Sequence, residues 1–172
     1  DEEGAMRNVE RVGKVQTVTG LIDPDLLGIT LMHEHLLLDV GAYFDPPEQA
    51  TARSWVDSAL ALNRLGSIGS YWHINRDNTS ILDERFAAEQ VRDFRLAGGS
   101  SLVDTTNVGL GRDPLALARI SRATGLNIIM GSAYYVRLFH PDDMSARDEE
   151  SITEEIITDV TCGVGNTGVR AG

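Results

Sequence analysis

Apolar and polar positions alternate along this chain in an order that predicts parallel α/β structure. Residues 14–20, Lys-Val-Gln-Thr-Val-Thr-Gly, alternate as an exposed strand does, and Asp23-Pro24-Asp25 supplies turn chemistry, so a small N-terminal β-hairpin is expected. From Gly28 to Leu38 the chain is apolar except for His33-Glu34-His35 at its centre, the pattern of a strand buried on both faces. Residues 39–80, with Pro46-Pro47 and Asn75-Arg76-Asp77-Asn78, predict a long loop containing a short helix over 52–64 and ordered by Tyr71 and Trp72.

Helical spacing follows. Ala87, Val91 and Phe94 share one face of a stretch from Ile81 to Ala97 that Gly98-Gly99 brings to a stop. Ser101–Thr106 is strand-like, and Asp113-Pro114 opens a helix as N-cap and first residue, ending near Thr124 before Gly125. Leu126–Gly131 is a third buried strand, and after a loop through Pro141 a helix carries Ile152, Ile156 and Val160 on one face, closed by Gly163 and Gly165. Strand and helix therefore alternate, which calls for parallel strands joined by right-handed crossovers. A doubly wound sheet would show a Gly-rich phosphate turn after its first strand. His-Glu-His stands there instead, which favours a barrel with its chemistry at the C-terminal ends of the strands.

Composition narrows the function. The 172 residues, 42% hydrophobic and 24% charged, describe a globular domain with enough chain to bury a core. A net charge of -11 would repel a phosphate backbone, and no stripe of Lys and Arg offsets it, so nucleic acid is excluded as a partner. No apolar run reaches the roughly 20 residues that span a bilayer, and the acidic start Asp1-Glu2-Glu3 lacks the features of a signal peptide. The expectation is a cytoplasmic protein with no membrane partner. The chain opens without methionine, so residues before Met6 read as a remnant or as the tail of a longer segment. Cys162, the single cysteine, is expected to be a small buried hydrophobe without a chemical role.

The candidate chemistry lies at His33 and His35. Residues i and i+2 of a strand point to one face, so both imidazoles project together and Glu34 points away. Zinc accepts imidazole nitrogen, and a catalytic zinc keeps a position for water whose pKa falls toward neutrality. Buried imidazoles on an apolar strand need partners, and a divalent metal supplies one. His73 and His140 fall in loops from which they could reach the mouth of a barrel, and read more readily as solvated or locally bonded.

The stretch from Gly20 to Asp39, with Leu-Met-His-Glu-His-Leu at its core, closely resembles the opening of the phosphotriesterase-like proteins of the amidohydrolase superfamily. Asn75-Arg-Asp-Asn78, Gly111-Arg-Asp-Pro114, Gly125–Gly131 and Gly165–Gly172 extend the likeness over nearly the whole chain. The resemblance implies an eight-stranded (β/α) barrel holding two divalent metals, most commonly zinc, bridged by a carboxylated lysine or a glutamate, with an activated hydroxide between them. His33 and His35 match the first-strand ligands; the remaining family ligands belong to strands four, five, six and eight. The fold class expected is therefore α/β, an incomplete (β/α)8 TIM barrel of about three β/α units with an N-terminal β-hairpin, forming one partial domain over 1–172 that by itself is inactive. Lys14, the single lysine, precedes the first core strand and cannot serve as the bridge. Tyr135 matches the position where related lactonases set a tyrosine against the substrate ring oxygen, and it is carried over as substrate-binding or as an aromatic packing under the barrel mouth. Asp104 ends the second strand and reads as capping or loop support.

Three functions remain open at this point. The first is a metal-dependent hydrolase of lactones, carboxyl esters or phosphotriesters. The second is a non-catalytic half barrel whose open edges promote association, including a homodimer. The third is another amidohydrolase, an amidase or deaminase.

Overall fold

The computed structural model describes residues 11–70 and 72–172, so Met6, the acidic start and Tyr71 lie outside the described residues. A two-stranded antiparallel hairpin comes first: β1 (Val15–Thr17) pairs with β2 (Gly20–Ile22), turning at Val18-Thr19. The turn sits earlier than the sequence suggests, because Asp23-Pro24 instead opens a short 3-10 turn, Pro24–Leu26. The central sheet has three parallel strands, β3 (Thr30–Glu34), β6 (Ser101–Asp104) and β7 (Asn127–Met130), in the order β3-β6-β7. Between β3 and β6 run β4 (Leu38–Asp39) and β5 (Ser80–Ile81), which pair antiparallel and close the neck of the 39–80 segment. That segment is built of short pieces, among them α1 (Ala50–Arg53) and α2 (Leu65–Ser70), and not of one helix over 52–64.

Longer helices follow the strands. α3 (Glu84–Leu96) is capped by Asp83, whose carboxylate accepts from the Arg85 and Phe86 amides. α4 (Pro114–Thr124) starts as the sequence predicts, with Asp113 capping the Ala116 amide and Pro114 in the first turn, and ends on Gly125 at φ 71°. α5 (Glu149–Thr161) is capped by Asp148. Its expected apolar face is half-buried at Ile152 and Ile156 and exposed at Val160.

The core gathers where α3 and α4 cover the sheet: Leu102, Ile128 and Met130 from the strands meet Leu117, Ile120 and Ala87 from the helices, with Val91 and Phe94 packed at the margin. Ile128 also fixes the hairpin, accepting from the Val18 amide at 2.8 Å. Two expectations about burial are corrected. β3 is not buried on both faces, since it is an edge of the described sheet and leaves Leu31 38% and Met32 70% exposed. Cys162 is exposed, because it follows the last turn of α5 while Val164 and Val169 carry the apolar contacts inward. Among the described residues no helix is long and apolar enough to cross a membrane.

Candidate active site

The C-terminal ends of the three parallel strands open on one cavity of about 290 Å³, lined by His33, His35, Thr105, Asn107 and Tyr135, with Leu38, Val40, Tyr43 and Leu110 as its apolar wall. The local fold explains how the histidines arrive there. β3 pairs with β6 as Leu31↔Leu102 and Glu34↔Asp104, which leaves two residues, Met32 and His33, against one, Val103, so the strand bulges there. Bulges re-aim side chains at the rims of sheets. The two imidazoles stand edge to face with ring centroids 5.4 Å apart. His33 is exposed and His35 half-buried, which removes burial as the reason the pair needs a partner. Their shared cavity is what joins them.

His35 is held by hydrogen bonds that dictate its tautomer. Thr106 Oγ1 donates to the Leu37 carbonyl at 3.0 Å and lies 2.9 Å from His35 Nδ1. With the hydroxyl proton directed at a carbonyl, which can only accept, the imidazole must supply the other proton. Neutral His35 is thus protonated on Nδ1 and carries its lone pair on Nε2, beside Thr105 Oγ1 at 3.4 Å. Burial, reinforced by His33 and opposed by Asp104 and Glu34, lowers the His35 pKa and keeps that lone pair free. This is the donor chemistry that a divalent cation of borderline softness accepts. The described residues fit such a cation as a pair: no group of three or more His, Cys, Asp or Glu converges among them.

Beneath the pair lies Asp104, fully buried at the end of β6. Its carboxylate accepts from the Leu36 amide at 2.8 Å and the Thr106 amide at 2.9 Å, fastening the segment that carries His35 to the residue that orients it. Burial raises its pKa above the ordinary aspartate value, against the pull of those bonds and of His35. Loop support is the role observed.

Tyr135 is 45% exposed and forms the far side of the cavity, leaning on Phe139 with centroids 5.6 Å apart. Tyr43 faces it, and its phenol pKa is raised by desolvation and then by Tyr135. Backbone strain precedes this wall: Ala133 adopts φ 137°, a conformation few residues other than glycine take. The next residue, Tyr134, is anchored on α5, its hydroxyl donating to Glu155 at 2.8 Å and accepting from Arg147, which also pairs with Glu155. His140 bonds the Tyr135 carbonyl at 2.8 Å, the local role expected of it, and neither His140 nor His73 lines the cavity.

Burial alone would raise the Glu155 pKa, but hydrogen bonds from Tyr134 and Arg147 prevail and hold the carboxyl below the ordinary glutamate value of 4.5. A depressed acid pKa gives stability that is present above the unfolded value and lost as pH falls through the folded one. Glu155 is partly exposed, so the contribution at neutral pH is about 1 kcal/mol after solvent screening. Urea melts at a series of pH values should show Glu155→Gln less stable than the parent by that amount at pH 7, with the gap closing as pH falls below the ordinary glutamate value. A gap that persists unchanged in acid would show that the ion pair is not its source.

Sequence reasoning missed Thr105, Thr106, Asn107 and Tyr43. The first three follow Asp104 directly, and a polar run leaving a strand toward the side where His33 and His35 project was the available signal.

Comparison with known proteins identifies related chains and structures of the same fold. The chain is 34% identical to the N-acetyltaurine hydrolase of Bos taurus over 162 residues, which are 93% of this chain and 46% of that protein. The Phosphotriesterase-related protein of Nematostella vectensis is 33% identical over 93% of the chain. Among solved structures, a Resiniferatoxin-binding protein from Rhodobacter sphaeroides superposes with a TM-score of 0.91 at 33% identity, covering 94% of this chain and 45% of that one. An organophosphorus hydrolase from Deinococcus radiodurans gives 0.62 at 28% identity, covering 93% and 42%. The chain spans about half the length of these relatives, two of which are hydrolases by name. The Phosphotriesterase family profile matches residues 13–172, and the chain belongs to the Phosphotriesterase family.

Proposed function

We propose that this chain, completed to the length of its relatives, is part of a metal-dependent (β/α)8-barrel hydrolase that cleaves ester-like or amide bonds at a carbonyl or phosphoryl centre. The observation that carries the reading is the convergence of His33, His35 and Tyr135 on one cavity at the C-terminal ends of parallel strands. His33 and His35 would hold a divalent cation, zinc by donor type, and a bound cation of this kind supplies activated water and stabilises charge developing on the substrate oxygen. By the family resemblance, further ligands and a second ion would belong to the portion that the relatives have beyond this chain. His35 offers Nε2 because Thr106 holds its other nitrogen, and Tyr135 with Tyr43 forms the wall against which the scissile group is positioned.

The leaving atom, oxygen or nitrogen, divides the possible substrates. Lactones, carboxyl esters and phosphotriesters follow from the family likeness, and the 34% identity to a protein named as a hydrolase of N-acetyltaurine gives the N-acyl amide a claim of its own. The test is a substrate panel of one lactone, one aryl ester, one phosphotriester and one N-acyl amine, assayed on the protein at its relatives' length before and after chelation. Hydrolysis of at least one class, lost on chelation and restored by zinc, is expected. Activity indifferent to chelation, or none toward any class with zinc loaded, would overturn the reading.

A further inference from the structure

We propose that Asn107 binds substrate, its side-chain Nδ2 donating a hydrogen bond to a carbonyl or phosphoryl oxygen of the molecule seated between the histidines and Tyr135. The inference rests on the hydrolase reading above and adds a residue to its site. Asn107 follows Asp104 by three positions, on a turn whose backbone is fastened on every side. The Leu110 amide donates back to the Asn107 carbonyl at 3.1 Å, the Val108 amide to Ala133 at 3.3 Å, and the Asp39 amide to Leu110 at 2.8 Å. Gly109, at φ +89°, packs so closely that a Cβ there would lie 1.9 Å from the Phe139 carbonyl oxygen. The turn is a rigid platform.

The side chain on that platform is bonded to nothing. Asn107 Oδ1 is buried without a hydrogen-bond partner, and among the described residues no hydrogen bond is made by the amide nitrogen. Asparagine in a turn ordinarily earns its place by bonding nearby backbone, and buried polar atoms are satisfied in the great majority of cases. Neither explanation applies here. The cavity wall it shares includes Leu38, Val40 and Leu110, so an apolar residue at this position would be compatible with the lining and leave no unpaired oxygen. A polar group that lowers stability, held rigidly beside His33, His35 and Tyr135, has the character of a group kept for a ligand. With the oxygen turned into the protein, the amino group is the end left for the cavity, and it complements an acyl or phosphoryl oxygen, the one feature that esters, lactones, amides and phosphotriesters share.

This assignment separates stability from activity. In the protein at its relatives' length and loaded with zinc, Asn107→Leu should melt at the parent temperature or a few degrees higher, while kcat/KM toward whichever panel substrate is cleaved falls about 10- to 100-fold. Asn107→Asp, which keeps an acceptor and loses the donor, should fall at least as far. A second readout needs no turnover: triethyl phosphate, a neutral phosphoryl oxygen, should raise the melting temperature of the parent and not of Asn107→Leu. Retention of kcat/KM within about twofold in Asn107→Leu, or a clear loss of its melting temperature, would overturn the proposal in favour of a neutral or structural role. If the parent cleaves nothing on the panel, the hydrolase reading fails and the triethyl phosphate shift decides: lost in the variant, it upholds Asn107 as a ligand contact; absent from the parent or equal in both, it overturns it.

Discussion

Replacing Arg112 by methionine should remove about 3–5 kcal/mol of folding stability, a large share of what a domain possesses. Arg112 and Asp159 form a salt bridge at 2.9 Å with side chains only 7% and 6% exposed. The guanidinium reaches the Gly131 carbonyl at 3.2 Å as well, and Ser132 donates to the same Asp159 oxygen at 2.9 Å. One buried pair therefore ties the loop before α4, the end of β7 and the body of α5 into a single unit. Methionine fills much of the volume and leaves the carboxylate out of water with one hydroxyl for company. An uncompensated buried charge is the expensive outcome, far more so than the loss of the pair as such.

That distinction makes the expectation checkable by a double-mutant cycle. Arg112→Met with Asp159→Leu removes both charges, and the urea midpoint should return most of the way toward the parent, giving a coupling energy well beyond the experimental scatter of about 0.5 kcal/mol for unconnected sites. Additive losses would mean that each residue acts through separate contacts.

The same residues show what the sequence makes legible. Gly111-Arg-Asp-Pro114 serves the likeness as a motif, and two of its residues could be read from it directly: Asp113 caps α4 and Pro114 occupies its first turn. Arg112 could not, since its partner lies 47 residues downstream and nothing local encodes the pairing. Asn75-Arg-Asp-Asn78 behaves alike. Asn75 is buried and donates to the Trp55 and Ser58 carbonyls at 2.6 and 2.8 Å, while Arg76 lies over the Phe44 ring at 4.0 Å, so the motif folds the 39–80 segment and contributes no group to the cavity. Periodicity located β6, β7, α3, α4 and α5 because each carries its own caps and apolar spacing. It overestimated β3, whose apolar run continues past Glu34 into Leu36 and Leu37, buried as loop residues and not as strand. The alternation that places His33 and His35 on one face agrees with their shared cavity, although a register shift between Leu31 and Glu34 interrupts the pairing of β3 just before it. Thr106 escaped notice for the reason Arg112 did: its value lies in reaching His35 across 71 residues of sequence.

Asp104→Ala should cost about 3 kcal/mol of stability and weaken zinc binding by about 10- to 100-fold. The carboxylate satisfies two buried amides, Leu36 and Thr106, on either side of the chain crossing beneath His35. Alanine leaves both donors unpaired, each at about 1–3 kcal/mol, partly offset because a carboxylate no longer has to be buried. Asp104→Asn keeps one acceptor and turns a donor toward the other amide, so it should lose roughly half as much stability. The effect on metal follows from geometry. Without Asp104, Thr106 is freed from its amide anchor, its hydroxyl no longer stays fixed between the Leu37 carbonyl and His35 Nδ1, and the imidazole is free to take the tautomer that hides Nε2. Zinc affinity by competition with a chelator and stability by urea midpoint should decline together in the order parent, Asp104→Asn, Asp104→Ala. Unchanged zinc affinity alongside the expected loss of stability would confine Asp104 to the fold and leave the orientation of His35 to the threonines alone.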